Sequence, residues 1–203
     1  IDDEAARAGS VNTVINDGRR LSGTSTDAHG LAAALHERFA IDVTGARFAF
    51  IGAGGAARAT AVSFAARGAA KIVMLNRTLE KAQRIAGIIG DSGFATEVIC
   101  LSPEDADAVK AELAAVDVLI QATSLGLHAN DPLPLQPETI PWDMPVMDMI
   151  YRTTPFLKAM TDRGCPTADG RGMLLHQGAR SLELWTGKKA PVEVMRQALE
   201  HAL

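Results

Sequence analysis

Between Phe48 and Ala59 the chain reads Phe-Ala-Phe-Ile-Gly-Ala-Gly-Gly-Ala-Ala-Arg-Ala, a short apolar run that breaks at glycine and resumes as a helix-compatible stretch. Few patterns restrict a fold as tightly. A strand must deliver the chain to Gly52, where glycine permits the tight turn. Gly54 then lets a pyrophosphate approach the backbone, and Ala57 keeps the next helix close to the sheet. The free N–H groups of that helix would face the phosphates. Gly68 stops the helix, and Lys71 to Leu75 is a second buried strand. A strand-turn-helix with small residues chosen only for packing is the alternative. The nucleotide reading places Gly52, Ala53, Gly54, Gly55 and Ala56 around a dinucleotide pyrophosphate.

The end of the second strand says which dinucleotide. An NAD site normally carries Asp or Glu there to accept hydrogen bonds from the ribose. Here the chain reads Asn76-Arg77-Thr78, with Lys81 one turn further on. A carboxylate would repel a 2′-phosphate, whereas a guanidinium binds one bidentately and can stack on adenine. These residues therefore select NADP.

Composition sets limits on the rest. With 203 residues the chain can build one full domain and part of another. Net charge is −4 with scattered basic residues, and aromatic content is 4%. Neither a nucleic-acid surface nor base-stacking platforms are expected. Cys100 and Cys165 are too far apart for a metal knuckle, and none of the five histidines joins a ligating pattern, so no metal is expected. Two thiols without a disulfide framework, no long apolar run and no leader-like N-terminus point to a cytoplasmic protein without membrane contact. A homodimer is compatible with all of this. The first residue is Ile1 rather than Met, which suggests a piece of a longer protein.

From Arg47 onward, strands and helices alternate, which predicts a Rossmann-like, doubly wound parallel sheet of the α/β class. Strands are expected at 47 to 51, 71 to 75, 95 to 100, 117 to 120 and 145 to 149. Helices are expected at about 55 to 67, 78 to 90, 103 to 114, 154 to 163, 172 to 186 and from 191 to the end. The proline-rich stretch 131 to 145 reads as a surface loop. Ahead of this unit lies a short helix end at Asp2 to Ala8. It is followed by a hairpin of Val11 to Ile15 and Arg19 to Thr24 joined at Asn16-Asp17-Gly18. Ser25-Thr26-Asp27 offers N-cap candidates for a helix from Ala28 to Phe39. The hairpin lacks the sheet it should join; the family resemblance carried by the blocks below implies that residues 1–26 are the edge of an α/β substrate-binding domain of which only this remnant is present. Residues 27–40 would link it to a cofactor domain at 41–186, with 187–203 returning toward the substrate side.

Seven blocks, in order, carry a resemblance to the shikimate dehydrogenase family, which includes enzymes acting on quinate. They are Gly9-Ser-Val-Asn-Thr-Val14, Ser25-Thr-Asp27, Gly52-Ala-Gly-Gly-Ala-Ala-Arg58, Asn76-Arg-Thr78, Ala122-Thr-Ser-Leu-Gly126, Asp148-Met-Ile-Tyr151 and Asp169-Gly-Arg-Gly-Met-Leu-Leu-His-Gln177. The resemblance implies NADP-dependent interconversion of 3-dehydroshikimate and shikimate. It implies that Asp27 is catalytic and touches substrate, though on position alone Asp27 could equally cap the helix that follows. Asn12, Gln177 and Tyr151 match further substrate contacts, against bland roles in a turn, on an exposed helix face and at a strand end. Thr123 follows a strand end where the cofactor would lie. Met149, Gly170 and Met173 match the nicotinamide side, although methionine is more often core filler.

Three features depart from the family. Its catalytic lysine and the paired hydroxyls that hold the substrate carboxylate lie upstream of the Asn12 block, and no lysine precedes Lys71 here. The polypeptide as written is therefore expected to be inactive or very weak. In addition, Gln121 stands where relatives usually have Asn, and the link after Tyr151 is shortened. The competing readings are a broader quinate/shikimate enzyme, an enzyme such as glutamyl-tRNA reductase on the same nucleotide fold, and a non-catalytic NADP-binding module.

Overall fold

The computed structural model describes residues 1–128 and 130–202. Helix α1 (Asp3–Ala8) is capped by Asp2, whose carboxylate accepts from the Ala5 N–H, and it ends at Gly9 in the left-handed region. Strands β1 (Thr13–Asn16) and β2 (Leu21–Thr24) form an antiparallel hairpin in which Thr13 faces Thr24 and Asn16 faces Leu21. The expected turn is held by side chains. Asn16 accepts from the Gly18 N–H, and Asp17 accepts from those of Arg19 and Arg20. Helix α2 (Asp27–Phe39) then leads into the main sheet.

That sheet has six parallel strands in the order β5-β4-β3-β6-β7-β8. They are β3 (Arg47–Ile51), β4 (Lys71–Leu75), β5 (Glu97–Leu101), β6 (Val118–Gln121), β7 (Val146–Asp148) and β8 (Thr167–Ala168). Order reverses beside β3, so the C-terminal ends of β3 and β6 open a crevice at the switch point. Five of the six strands lie where periodicity places them, with β5 beginning two residues later and ending one residue later than expected. β8 is a correction: two residues are too few to show a period, and the strand exists because Thr167 and Ala168 pair with Val146 and Met147.

Both faces of the sheet are covered. On one, Phe48 and Phe50 meet Phe64 of helix α3 (Gly55–Ala66), with ring centroids 4.8 and 6.2 Å apart. All three rings are fully buried, each contributing about 1.5–3 kcal/mol of transfer free energy. Helices α2 and α4 (Leu79–Asp91) complete that layer. On the other face, Ala49, Ile51, Val73 and Leu75 pack against α5 (Ala106–Leu113) and α6 (Pro155–Asp162). The proline-rich loop holds one short 3-10 turn, Pro137–Thr139, and buries Leu135 in this second layer.

Helix α7 (Arg171–Thr186) crosses α2 at unusually short range. A Cβ placed on Gly30 would lie 2.6 Å from the Met173 carbonyl oxygen and 2.7 Å from Cβ of Gln177. Only glycine permits this approach. At its far end α7 reaches the hairpin, where the Trp185 indole N–H donates to the Val14 carbonyl at 2.9 Å. Helix α8 (Val192–Ala202) then doubles back along α7, placing Met195 near Gly178, and Arg196 pairs with Glu37 at 2.6 Å. This pair ties α8 to the distal end of α2.

Candidate active site

A cleft of about 620 Å³ opens at the switch point. Its floor is the glycine turn. Gly52 sits at φ 108°, and a Cβ there would press on Thr123 and the Ala122 carbonyl, so no other residue fits without displacing the neighbouring loop. Cβ atoms added to Gly54 and Gly55 would meet nothing within 4 Å, which leaves an open cradle in front of the α3 N-terminus. Phosphate oxygens fit that cradle, and the first N–H groups of α3 have no side-chain cap.

Of the residues expected at the cofactor, Gly52, Ala53, Gly54, Asn76, Arg77 and Thr123 line the cleft. Gly55 and Ala56 begin α3 beside it. Asn76 donates from its side chain to the Thr78 carbonyl at 2.7 Å, a bond that shapes the turn carrying Arg77. Arg77 is exposed and makes no ion pair among the described residues, so its guanidinium is available to an anion. Thr78 is the N-cap residue of α4, and Lys81 is exposed on its first turns.

Met149, Gly170 and Met173 are not part of the cleft lining. They gather beyond the C-terminal end of β7, where Gly170 lets the chain lie against Met149. A Cβ at Gly170 would fall 2.2 Å from the Met149 carbonyl oxygen and 2.9 Å from the Tyr151 ring. Met173 is buried in the core beside α2. Tyr151 is half exposed against Gly170. Gln177 follows Gly170 by seven residues along α7, about 10 Å at helical rise, so Tyr151 stands apart from it.

The opposite wall was harder to foresee. Ser124 and Leu125 line it together with Pro132 to Gln136. Gln121, fully buried at the end of β6, shapes this wall. Its amide donates to the Leu125 carbonyl at 2.9 Å and accepts from the Thr123 N–H at 2.5 Å. The additional methylene relative to Asn gives the side chain the reach to span the loop it supports. Asp148, also fully buried, accepts from the Thr154 hydroxyl at 2.6 Å and the Ile150 N–H at 3.0 Å, which fixes the link that carries Tyr151.

The second half of the site is a polar cluster where β1, α2 and α7 meet. Asn12 donates from its side-chain nitrogen to Asp27 Oδ1 at 2.7 Å and toward Gln177 Oε1 at 3.3 Å. Three residues separated by up to 165 positions are thus brought together. Asp27 is not the cap: Thr26 occupies that position, and Asp27 is the first helical residue with its carboxylate turned to Asn12. Burial pushes the Asp27 carboxyl above the ordinary range, opposed by the Asn12 hydrogen bond. Three hydroxyls lie buried beneath the amides, those of Thr13, Thr26 and Ser181; Thr26 was expected only as a cap candidate, and Thr13 and Ser181 had no expected role.

Comparison with known proteins bears on both halves of this site. Residues 33–128 match the family described as shikimate / quinate 5-dehydrogenase, and residues 170–200 match the shikimate 5′-dehydrogenase C-terminal domain. The NADP(+) shikimate dehydrogenase of Moorella thermoacetica is 38% identical over 209 residues, covering 100% of this chain and 69% of that protein. The chain belongs to the shikimate dehydrogenase family. The Methanopyrus kandleri enzyme of the same name is also 38% identical, with 99% and 70% covered. Among solved structures, the shikimate 5-dehydrogenase of Listeria monocytogenes in complex with shikimate and NAD superposes with a TM-score of 0.89 at 31% identity, covering 98% of this chain and 70% of that one. The Thermus thermophilus enzyme in complex with NADP(H) and shikimate gives 0.81 at 31% identity, with 100% and 72% covered. This shikimate dehydrogenase family member therefore spans about 70% of the length of the relatives it matches. Among the described residues, no helix is long and apolar enough to cross a membrane, and no cluster of His, Cys, Asp and Glu could hold a metal.

Proposed function

We propose that this chain carries the NADP-binding unit and part of the substrate site of a shikimate dehydrogenase, interconverting 3-dehydroshikimate and shikimate. The observation that carries the reading is the meeting of Asn12, Asp27 and Gln177 within hydrogen-bond range in a chain that also builds a dinucleotide cleft. NADP bound there supplies the hydride acceptor. Residues 52 to 56 cradle the pyrophosphate; Asn76, Arg77, Thr78 and Lys81 recognise the adenosine 2′-phosphate; Met149, Gly170 and Met173 border the nicotinamide.

Oxidation of a secondary alcohol requires removal of the hydroxyl proton as hydride departs. In this reading Asp27 accepts a hydrogen bond from the reacting hydroxyl and helps carry its proton away. Asn12 holds the Asp27 carboxylate in place, Gln177 donates to a ring hydroxyl, and Tyr151 adds a contact from the other wall. Residues 1–26 form the substrate-side edge and α2 joins it to the cofactor unit at 41–186. The lysine that the family pairs with Asp27 is not found before Lys71, which begins β4 and pairs with Glu112 at 2.7 Å. That partner belongs to the remaining portion of the relatives' length, and a homodimer is one arrangement open to the assembled enzyme.

The test is absorbance of NADPH formed from NADP and shikimate, with NAD and quinate run in parallel. Shikimate-dependent reduction of NADP is expected wherever the lysine-bearing portion is present. Reduction with quinate and NAD alone would overturn the reading.

A further inference from the structure

Beneath the three polar side chains of the substrate site lies a second layer whose members no comparison assigns. Thr13, Thr26 and Ser181 are exposed by only 1%, 1% and 7%. Their hydroxyls are linked, Thr13 Oγ1 to Ser181 Oγ at 2.7 Å and Thr26 Oγ1 to Ser181 Oγ at 3.1 Å. Thr13 adjoins Asn12 in the chain, and Ser181 lies one helical turn from Gln177. The hydroxyl pair is the buried floor and the amide pair the open rim above it.

Polarity in this cluster starts from a group that cannot be reversed. The Thr26 backbone N–H donates to Asn12 Oδ1 at 3.0 Å, so the Asn12 nitrogen must face the other way, toward Asp27 and Gln177. That nitrogen is a donor, and the Gln177 atom opposite it must be the oxygen. The Gln177 NH2 is then the end left over, with no partner among the described hydrogen bonds. Thr26 Oγ1 reinforces the arrangement at 3.3 Å from Gln177 Oε1. The Thr13 hydroxyl lies 2.9 Å from Asn12 Oδ1 and 2.7 Å from Ser181 Oγ, and the Ser181 hydroxyl donates to the Gln177 backbone carbonyl at 3.0 Å, so the pair ties Asn12 to the turn of α7 that carries Gln177. The direct bonds between the rim amides are long, 3.3 Å, whereas the hydroxyl contact below them is short.

We propose that Thr13 and Ser181 are positioning residues: their hydroxyl pair fixes β1 against α7 and thereby sets the spacing and polarity of Asn12 and Gln177, so that the site offers substrate a carboxylate at Asp27 and an amide donor at Gln177. Neither hydroxyl touches substrate in this arrangement. The proposal rests on reading Asn12 and Gln177 as substrate contacts, and its test has a readout that does not need turnover.

The variants are Thr13→Val, Ser181→Ala, their double combination, and Thr13→Ser, which retains the hydroxyl. Side-chain NH2 resonances of Asn12 and Gln177 in the intact protein are followed by nitrogen-proton correlation NMR, and KM for shikimate and for NADP is measured alongside. Loss of either hydroxyl is expected to shift or broaden both NH2 signals. It should raise the shikimate KM about tenfold while leaving that for NADP within about twofold. Thr13→Ser should restore the parent behaviour, and the double variant should be no worse than the poorer single one, since the two act as a unit. If Thr13→Val fails to fold, Ser181→Ala, a smaller residue inside a helix, carries the comparison against Thr13→Ser. Unmoved NH2 signals, or losses that add in the double variant, would overturn the proposal. Absence of shikimate turnover in a parent that carries the lysine-bearing portion would count against the functional reading alone, because the resonances still report the positioning.

Discussion

Asn12 holds the carboxylate of Asp27 at 2.7 Å across fifteen residues of chain, and it does so with the only side-chain hydrogen bond the structure gives that carboxylate among the described residues. Two opposing effects act on Asp27. Burial disfavours its charge and the Asn12 donor favours it, with burial the larger. The ionised form thus costs folding stability, and the cost is relieved as pH falls through the raised folded pKa. Asp27→Asn should therefore lower shikimate turnover by about 10²–10⁴-fold while leaving the melting temperature unchanged or slightly higher. A parallel fall of both quantities would mean that Asp27 is structural.

The pH profile separates the two effects further. In the parent, kcat/KM for shikimate should decline on the acid side through a pKa above the ordinary carboxylate range. Asn12→Ala removes the interaction that lowers this pKa, so the acid limb should move to still higher pH. An acid limb that stays in place would show that another group governs it.

Arg77 is expected to discriminate by cofactor phosphate. It has no carboxylate partner among the described residues, and its turn is pinned by the Asn76 side chain. Arg77→Ala should weaken NADP binding by about 10–100-fold, the scale of a lost charge-assisted pair, and change NAD binding by no more than about twofold. Titration of nucleotide by fluorescence or calorimetry checks this, and equal losses for both dinucleotides would assign Arg77 to adenine stacking instead.

The cofactor half of the site was readable because its chemistry is local. Gly52 to Ala57 and Asn76 to Arg77 are contiguous runs whose roles follow from turn geometry and charge. The meeting of Asn12, Asp27 and Gln177 was expected only through resemblance, because it comes about through tertiary packing that no periodicity encodes. Thr13 and Ser181 went unassigned, and Thr26 was read only as a cap candidate, because a buried hydroxyl looks in sequence like any surface threonine or serine. β8 was missed for a related reason, since its two residues are strand only by virtue of β7 beside them.

Asp148 offers a test of the link that carries Tyr151. Its carboxyl is fully buried and raised chiefly by that burial, with the Thr154 hydroxyl and the Ile150 N–H compensating. Thr154 also accepts from the Leu157 N–H at 3.1 Å as the cap of α6, so one oxygen serves both groups. Thr154→Val keeps the shape and removes both bonds. It should cost about 1–3 kcal/mol in chemical denaturation. Because loss of the hydroxyl donor raises the Asp148 pKa further, this deficit should shrink as the pH is lowered and Asp148 becomes protonated. A deficit that is independent of pH would leave the cap as the whole effect.

Gly30 ties the fold to the chemistry. It stands one turn after Asp27 on α2, and the space for its missing side chain is already filled by the backbone of Met173 and by Gln177. In an exposed helix, alanine in place of glycine would gain about 1 kcal/mol from propensity. Here the added carbon would sit 2.6 Å from a carbonyl oxygen, and backbone on a buried helix crossing cannot yield as a flexible side chain does. Overpacking of this kind costs about 1–3 kcal/mol, so Gly30→Ala should be net destabilising by up to about 2 kcal/mol. The helices can accept the methyl only by moving apart, which lengthens the distance from Asn12 and Asp27 to Gln177. The shikimate KM should consequently rise while NADP affinity holds, since the glycine turn and Arg77 lie on other elements. Gly172→Ala is the control, because its added carbon would meet only the Ala34 methyl at 3.3 Å on the same pair of helices. If both alanine variants behave alike, the tight crossing at Gly30 is not what holds the substrate side chains together.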